Sequence, residues 1–246
     1  SGHPGGSLGI VDILVSLYFS ELKHNPKQPN WPERDYMLFS AGHICPAWYA
    51  TLAEAGYFPK EELMTLRKIG SRLAGHPEYH PLHHLPGIEN PSGPLGQGLS
   101  HAIGLSLALK LDQKNNHIFC LLSDGEQAEG QTMEALLYAG AHRLNSITAI
   151  IDQNGIQLSG DVKNILPQGD LARRIRLFGW RVIEVDGHNY SDLIRVIKIA
   201  KKTTQKPTAI ICHTTPGKGV DFMENDYKWH GKAPNQEEKD RALAQL

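Results

Sequence analysis

Hydrophobic positions along this chain fall into two kinds of spacing. Short, nearly continuous apolar runs occur at Tyr36-Met37-Leu38-Phe39-Ser40, His117-Ile118-Phe119-Cys120-Leu121-Leu122, Thr148-Ala149-Ile150-Ile151, Trp180-Arg181-Val182-Ile183-Glu184-Val185 and Thr208-Ala209-Ile210-Ile211-Cys212-His213. Runs of this length suit strands buried on both faces of a parallel sheet. Between them apolar residues return every three or four positions, as in Met133, Leu136, Leu137, Ala141 and Leu144, which is the helical period. That period predicts helices over 8–22, 46–55, 101–111, 131–144, 190–202 and 236–246, the first of them mostly buried because Leu8, Val11, Ile13, Leu14, Val15, Leu17, Tyr18 and Leu22 leave few polar positions. Strand and helix in this order define an α/β domain with a mainly parallel β-sheet flanked by helices. Residues 25–34, with three prolines, form a loop. Residues 70–98, rich in Gly, Pro and His, form a longer one of a length that is usually functional.

The length of 246 residues supports one sizeable core, so a single domain over 1–246 is the simplest count. Hydrophobic residues at 40% and charged residues at 21% are ordinary for a soluble globular domain. A net charge of −1 gives no basic face for nucleic acid or a membrane surface, which favours small-molecule chemistry. Cys45, Cys120 and Cys212 are isolated, so neither a disulfide framework nor a thiolate zinc site is expected, and a reducing cytoplasm fits. No apolar run approaches the roughly 20 residues needed to span a bilayer, and no signal peptide is visible. The chain starts at Ser1, inside a motif, which suggests a missing amino-terminal segment.

The chemistry gathers where strands end. The second strand runs into Ser123-Asp124-Gly125-Glu126-Gln127-Ala128-Glu129-Gly130, and the third into Asp152-Gln153-Asn154-Gly155-Ile156. A strand–loop–helix–strand unit brings both ends to one edge of the sheet, where open α/β sheets bind ligands. Asp124 offers a carboxylate and Asn154 an amide oxygen, hard donors of the kind Mg²⁺ takes together with phosphates, and Gly125 lets the backbone come close to a phosphate. Asp-Gly and Asn-Gly are also ordinary turn dipeptides, and either alone would be read as that.

Thirteen histidines are many for this length. The group His76, His80, His83 and His84 raises a zinc site, but no cysteine accompanies it and Pro77, Pro81 and Pro86 imply an irregular loop. Only His76 is therefore kept as a site residue, and His80, His83 and His84 are expected on the surface. His3, His43 and His230 each lie beside glycines, a context that brings backbone and ligand close to an imidazole able to move a proton. Gly217-Lys218-Gly219 lacks the rest of a Walker pattern, so it is not read as a phosphate loop.

Taken in order, Ser1-Gly2-His3-Pro4-Gly5-Gly6, Ser40-Ala41-Gly42-His43, Gly75-His76-Pro77-Glu78, Gly93-Pro94-Leu95-Gly96-Gln97-Gly98, the Asp124 to Asn154 signature, Lys206-Pro207-Thr208, Gly217-Lys218-Gly219 and Trp229-His230-Gly231 resemble the amino-terminal half of transketolase over nearly the whole chain. Ser123 departs from the glycine usual in the thiamine-diphosphate signature. The resemblance implies a thiamine diphosphate-binding fold of the diphosphate-binding type and a cation, Mg²⁺ with Ca²⁺ or Mn²⁺ as substitutes, held by Asp124, Asn154 and the carbonyl of Ile156. It implies Gly125 at the diphosphate, His43, Glu129 and His230 at the cofactor, Gly93, Pro94 and Leu95 at its aminopyrimidine, and Glu129 and Glu134 near a subunit interface. His3, His76 and His230 would bind sugar hydroxyls and shuttle protons during transfer of a two-carbon ketol unit between sugar phosphates.

In that family the glutamate that activates the cofactor, and the arginines for the sugar phosphate, belong to a following pyrimidine-binding domain that these residues do not contain. A split enzyme is expected, in which this chain is the amino-terminal half and a separate carboxy-terminal subunit completes it, assembled as α₂β₂. Two other readings are a different thiamine enzyme, of the deoxyxylulose-phosphate synthase or 2-oxo-acid dehydrogenase type, and a non-catalytic cofactor-binding subunit. His76 in Gly-His-Pro-Glu and the Trp229-His230-Gly231 motif favour transketolase.

Overall fold

Five parallel strands carry the site. In the computed structural model, which describes residues 2–79 and 84–246, they are β1 (Tyr36–Phe39), β2 (Ile118–Ser123), β3 (Ile147–Gln153), β6 (Arg181–Asp186) and β7 (Thr208–His213), in the order β1-β2-β3-β7-β6. A two-residue hairpin, β4 (Ile156–Gln157) with β5 (Gly160–Asp161), follows β3. The helices are α1 (Pro4–Gly9), α2 (Val11–Ser16), α3 (Cys45–Glu54), α4 (Gly98–Leu111), α5 (Gly130–Ala141), α6 (Val162–Ile165), α7 (Leu171–Leu177), α8 (Tyr190–Lys201) and α9 (Gln236–Leu243).

Period-two alternation sorts the strand residues between two cores. Phe39, Phe119, Leu121, Ile150, Ile210 and Cys212 pack with α2, α3 and α8 on one face. Leu38, Cys120, Leu122, Ala149, Ile151 and Ile211 pack with α4, α5 and α7 on the other. The three central strands are apolar on both faces because helices cover both. The edge strand β6 instead exposes Arg181, Glu184 and Asp186, which discourages pairing with another sheet. Helix α8 shows why amphipathic spacing is informative: Leu193, Val196, Ile197 and Ala200 turn inward, and the Asn189 side chain caps the start by accepting from the Asp192 N–H.

All five sheet strands lie within a residue or two of where the apolar runs place them. Several elements differ. The helix expected over 8–22 begins four residues earlier, at Pro4, breaks at Ile10 and ends in a π-turn, Leu17–Glu21. Proline at the first helical position is favourable, and the two glycines after it pack too closely on neighbouring segments to announce a helix by apolar spacing. Helix α4 starts at Gly98 rather than at residue 101, because the Ser40 hydroxyl accepts from the Gly98 N–H and holds the first turn. Helix α7 and the short β4–β5 hairpin lie outside the expected elements, being too short for a periodic signal.

The chain reverses its lateral direction between β6 and β7. From β1 through β3 it steps outward, skips a position to β6, and returns through α8 to insert β7 beside β3. The carboxyl ends of β1, β2, β3 and β7 therefore surround one crevice.

Candidate functional site

Asp124 sits at the end of β2 with only 4% of its surface exposed. Its two carboxylate oxygens accept from the N–H groups of Gly125 and Gly155, each at 2.7 Å. Burial still dominates, pushing its pKa from 3.8 up to about 6. Asp152, one strand over and buried, is pushed up to about 7 by burial and by the charge of Asp124, against the hydrogen bonds from Thr214 and Asn154. Asn154 Nδ2 donates to Asp152 at 2.7 Å, which leaves Asn154 Oδ1 turned toward the Ile156 N–H at 2.9 Å. Gly155, at φ +74°, makes the turn between them, a left-handed conformation few other residues adopt readily. Asp152 thus orients the amide of Asn154, a role that nothing in its sequence context announces.

Two cavities meet at this turn. One, of about 540 Å³, is lined by Asp124, Asn154, Gly155, Ile156, Lys163 and Gln168 among others. The second, of about 370 Å³, is lined by His3, His43, His230, Leu95, Gly125, Glu129, Asp152, Asn154 and Ile156. Asn154 and Ile156 belong to both, so the expected cation residues lie at a boundary between an aspartate-lined and a histidine-lined space.

Three imidazoles, His3, His43 and His230, line the second cavity, and His76 stands beside them on the wall of a neighbouring one. Ring centres of His3 and His43 are 5.1 Å apart, His43 and His230 also 5.1 Å, His3 and His230 5.7 Å, and His3 and His76 6.5 Å. Burial, then the neighbouring imidazoles, lowers His43 to about 3. Burial, then His230, Arg67 and His76, lowers His3 to about 4. His230 is lowered by burial too. At neutral pH these three rings are uncharged and able to accept as well as donate. His3 Nδ1 is buried without a partner among the described residues, and His76 is exposed at the rim.

The structure brings His3, His43, His76, His230, Leu95, Gly125, Glu129, Asp124, Asn154 and Ile156 to this crevice. Gly93 and Pro94 lie slightly apart, lining a third cavity of about 410 Å³ that also touches His76, although a Cβ on Gly93 would stand 3.7 Å from the His76 ring. Gly125 differs from expectation in one respect: its N–H is already taken by Asp124, so it offers close backbone approach rather than a free donor. Glu134 is exposed on α5. His80 and His83 lie outside the described residues. His84 is half-buried against Tyr79, with ring centres 4.8 Å apart, rather than on the surface as expected. Among the described residues no three His, Cys, Asp or Glu side chains group to hold a metal. Gly217-Lys218-Gly219 is a structural turn whose Gly217 N–H donates to the Gly5 carbonyl at 2.8 Å.

Sequence reasoning also passes over Glu126, which is fully buried and accepts from Ser40, Gly96 and Ser123. A signal for it exists: Ser-x-x-Glu at 123–126 is a capping-box pattern.

A dication fits the donor set. The oxygens of Asp124, Asn154 and the Ile156 carbonyl are hard ligands, too few to complete six positions alone, which is the usual state of a Mg²⁺ site that also takes phosphate oxygens. A buried carboxylate with a raised pKa is what such a site presents before a cation compensates it.

A crevice at the switch point of a parallel sheet, with hard oxygen donors on one side and neutral imidazoles on the other, is where open α/β folds bind their ligands. Residues 1–246 match the family described as transketolase, thiamine diphosphate binding domain. The chain is 40% identical over 245 residues to the 6-deoxy-6-sulfo-D-fructose transketolase subunit SqwG of Clostridium sp. (strain MSTE9), covering all of this chain and 88% of that one. It is 37% identical over 246 residues to an apulose-4-phosphate transketolase subunit of Phocaeicola vulgatus, covering all of this chain and 86% of that one. Among solved structures, transketolase from Campylobacter jejuni superimposes with a TM-score of 0.92 at 38% identity, over all of this chain and 39% of that one. The chain therefore spans about two fifths of that full-length enzyme but nearly all of the relatives named as subunits.

The chain belongs to the transketolase family, as its thiamine diphosphate-binding part. The resemblance read from the motifs is borne out, including the fold, the enzyme class and the likeness to separately encoded amino-terminal subunits. No helix among the described residues is long and apolar enough to cross a membrane.

Proposed function

We infer that this chain is the diphosphate-binding subunit of a split transketolase, working in the cytoplasm, and that a separate carboxy-terminal subunit supplies the pyrimidine-binding domain and completes each active site in an α₂β₂ assembly. The observation that carries this is the junction of the two cavities at Asn154 and Ile156, with the carboxylate of Asp124 on one side and the histidine cluster on the other. Residues 1–246 act as a single diphosphate-binding domain in this reading.

Asp124, Asn154 and the Ile156 carbonyl would hold Mg²⁺, and through it the diphosphate of thiamine diphosphate, with Gly125 allowing close approach. The cofactor, when bound, supplies an electron sink for breaking the carbon–carbon bond beside a ketose carbonyl. The chain's own residues bind and move protons. His3, His76 and His230 would bind sugar hydroxyls and shuttle protons to and from them, a role worth roughly 10² to 10⁴ in rate, with His43 beside the cofactor. His76, exposed at the rim, is placed to meet donor hydroxyls. Gly93, Pro94 and Leu95 form the edge that faces the aminopyrimidine.

The test is ketol transfer with Mg²⁺ and thiamine diphosphate, using this chain alone and then with its carboxy-terminal subunit. Xylulose 5-phosphate serves as first donor with ribose 5-phosphate as acceptor. The donor panel adds 6-deoxy-6-sulfofructose, and apulose 4-phosphate is included because a relative is named for it. Activity only in the mixture supports the split enzyme. Full activity of the chain alone overturns it.

A further inference from the structure

Glu126 occupies a position unlike that of any other carboxylate among the described residues. Its side chain is completely buried, no cation among the described residues is paired with it, and both oxygens are filled by donors from three separate segments. Oε1 accepts from the Ser40 hydroxyl at the end of β1 and from the Gly96 N–H at 2.6 Å. Oε2 accepts from the Ser123 N–H at 3.1 Å, while Ser123 Oγ accepts in return from the Glu126 N–H at 3.3 Å. The last two bonds form a reciprocal capping box around Asp124-Gly125. Ser40 extends the network, since its hydroxyl oxygen also accepts from the Gly98 N–H at 3.0 Å. One side chain thereby joins the turn that presents Asp124 to the loop containing Gly93, Pro94 and Leu95.

The departure of Ser123 from the usual glycine belongs to the same device, because a glycine has no hydroxyl to close the box. Burying a charge without a counter-ion is costly, and charge-assisted bonds from fixed backbone donors offset that cost only while the three segments keep their relative positions.

We propose that Glu126 is a positioning residue that fixes the loop of Gly93, Pro94 and Leu95 at a set distance from the Asp124 turn, so that the two ends of one thiamine diphosphate molecule are gripped together. This rests on the cofactor reading above. It predicts a separation of effects between ligands that span both segments and ligands that touch only one. Thiamine diphosphate reaches from the cation to the loop, whereas inorganic pyrophosphate stops at the cation.

The experiment is calorimetric titration of the chain assembled with its carboxy-terminal subunit, with Mg²⁺–thiamine diphosphate and, separately, with Mg²⁺–pyrophosphate. In Glu126→Gln the remaining oxygen keeps the Ser123 N–H while the amide donates to the Ser40 oxygen and loses the Gly96 N–H, so thiamine diphosphate should weaken by about tenfold or more and pyrophosphate by less than about threefold. Ser40→Ala removes one loop-side bond and should show the same pattern at smaller size. Ser123→Ala opens the capping box beside Asp124 and should weaken both ligands to a similar extent. Equal weakening of both ligands by Glu126→Gln, or no effect on either, overturns the proposal. If Glu126→Gln fails to fold by near-ultraviolet circular dichroism, Ser40→Ala decides by the same ratio. A wild-type assembly that binds neither ligand removes the cofactor reading and this proposal with it, whereas a wild-type assembly that binds both while the ratio stays fixed in the variants removes only the proposal.

Discussion

Replacing Asp124 with asparagine should leave the ligand-free chain as stable as before, or more so, while abolishing its response to the cofactor. The carboxyl is 4% exposed, and its pKa rises from 3.8 to about 6 on folding. A shift of about two units means that keeping it ionised at neutral pH costs the folded state ~3 kcal/mol. Asparagine removes that cost. It keeps one acceptor for the N–H groups of Gly125 and Gly155 but turns an amide toward the other, a loss of about 1–3 kcal/mol. The net change lies between zero and about 2 kcal/mol of stabilisation, and for a chain of this size each kcal/mol moves Tm by roughly 2–4 °C. The sign follows the raised pKa. Below pH 3.8 the proton is bound in folded and unfolded states alike and the cost vanishes. The wild type loses this contribution as pH rises through 6, so the advantage of Asp124→Asn should open between about pH 4 and 6 and stay constant above 7. With Mg²⁺ and thiamine diphosphate at a hundredfold excess over Kd, the wild type should gain about 2.7 kcal/mol, or roughly 5–10 °C, and the variant almost nothing. Scanning calorimetry at pH 4, 6 and 8 with and without ligand checks all of this. A ligand-free variant melting well below the wild type at pH 8, or one that keeps the full ligand response, refutes the reasoning.

Other substitutions separate site from scaffold. His43 is lowered to about 3 in the folded state, so the unfolded chain takes up its proton first and stability is lost as pH falls below 6.5; between pH 7.5 and 5 this amounts to at most about 2 kcal/mol, and His43→Gln should remove that part of the pH dependence of the urea midpoint. Gly98→Ala would set a methyl 2.5 Å from the Ser40 side chain and 2.6 Å from its Cα, and should cost about 1–3 kcal/mol by thermal melt while weakening thiamine diphosphate. Lys218→Ala should leave Mg²⁺–pyrophosphate binding unchanged in the same titration, whereas Gly217→Ala, at φ +77° with a Cβ 2.5 Å from Met223 backbone, should destabilise the whole chain.

What the sequence reveals depends on the range over which each signal acts. Continuous apolar runs locate β2, β3 and β7 because burial on both faces leaves no room for polar residues. Spacing from Asp124 to Asn154 places the expected cation residues at one sheet edge because a strand–helix–strand unit has a nearly fixed length. The grouping of His3, His43, His76 and His230 comes only through resemblance, since they are far apart in sequence and nothing local marks their convergence. Glu126 is hidden for a different reason. Its partners Ser40 and Gly96 belong to segments whose proximity is set by the order of strands, and a glutamate in a turn otherwise reads as solvated. Helix α1 escapes because Gly5, Gly6 and Gly9 permit close contact instead of supplying apolar side chains. A Cβ on Gly6 would lie 2.7 Å from Ile44, and one on Gly9 3.1 Å from the Thr215 carbonyl.

The electrostatics of the crevice distinguish its two walls. Asp124, Asp152 and Glu126 have raised pKa values, and His3, His43 and His230 lowered ones, in every case with burial as the largest cause. Both shifts disfavour charge, yet they pull stability in opposite directions with pH: Asp124 and Asp152 cost more as pH rises from about 4 to 7, and the imidazoles cost more as it falls below 6.5. A cation beside Asp124 would act in opposite senses on the two walls. It would favour the charged form of the carboxylate and disfavour that of the imidazoles, already kept neutral by burial. The ligand-free chain therefore holds its uncompensated carboxyl where the cation would sit. Preorganisation of this kind places the cost of assembling charge in the folding of the protein, before any sugar arrives.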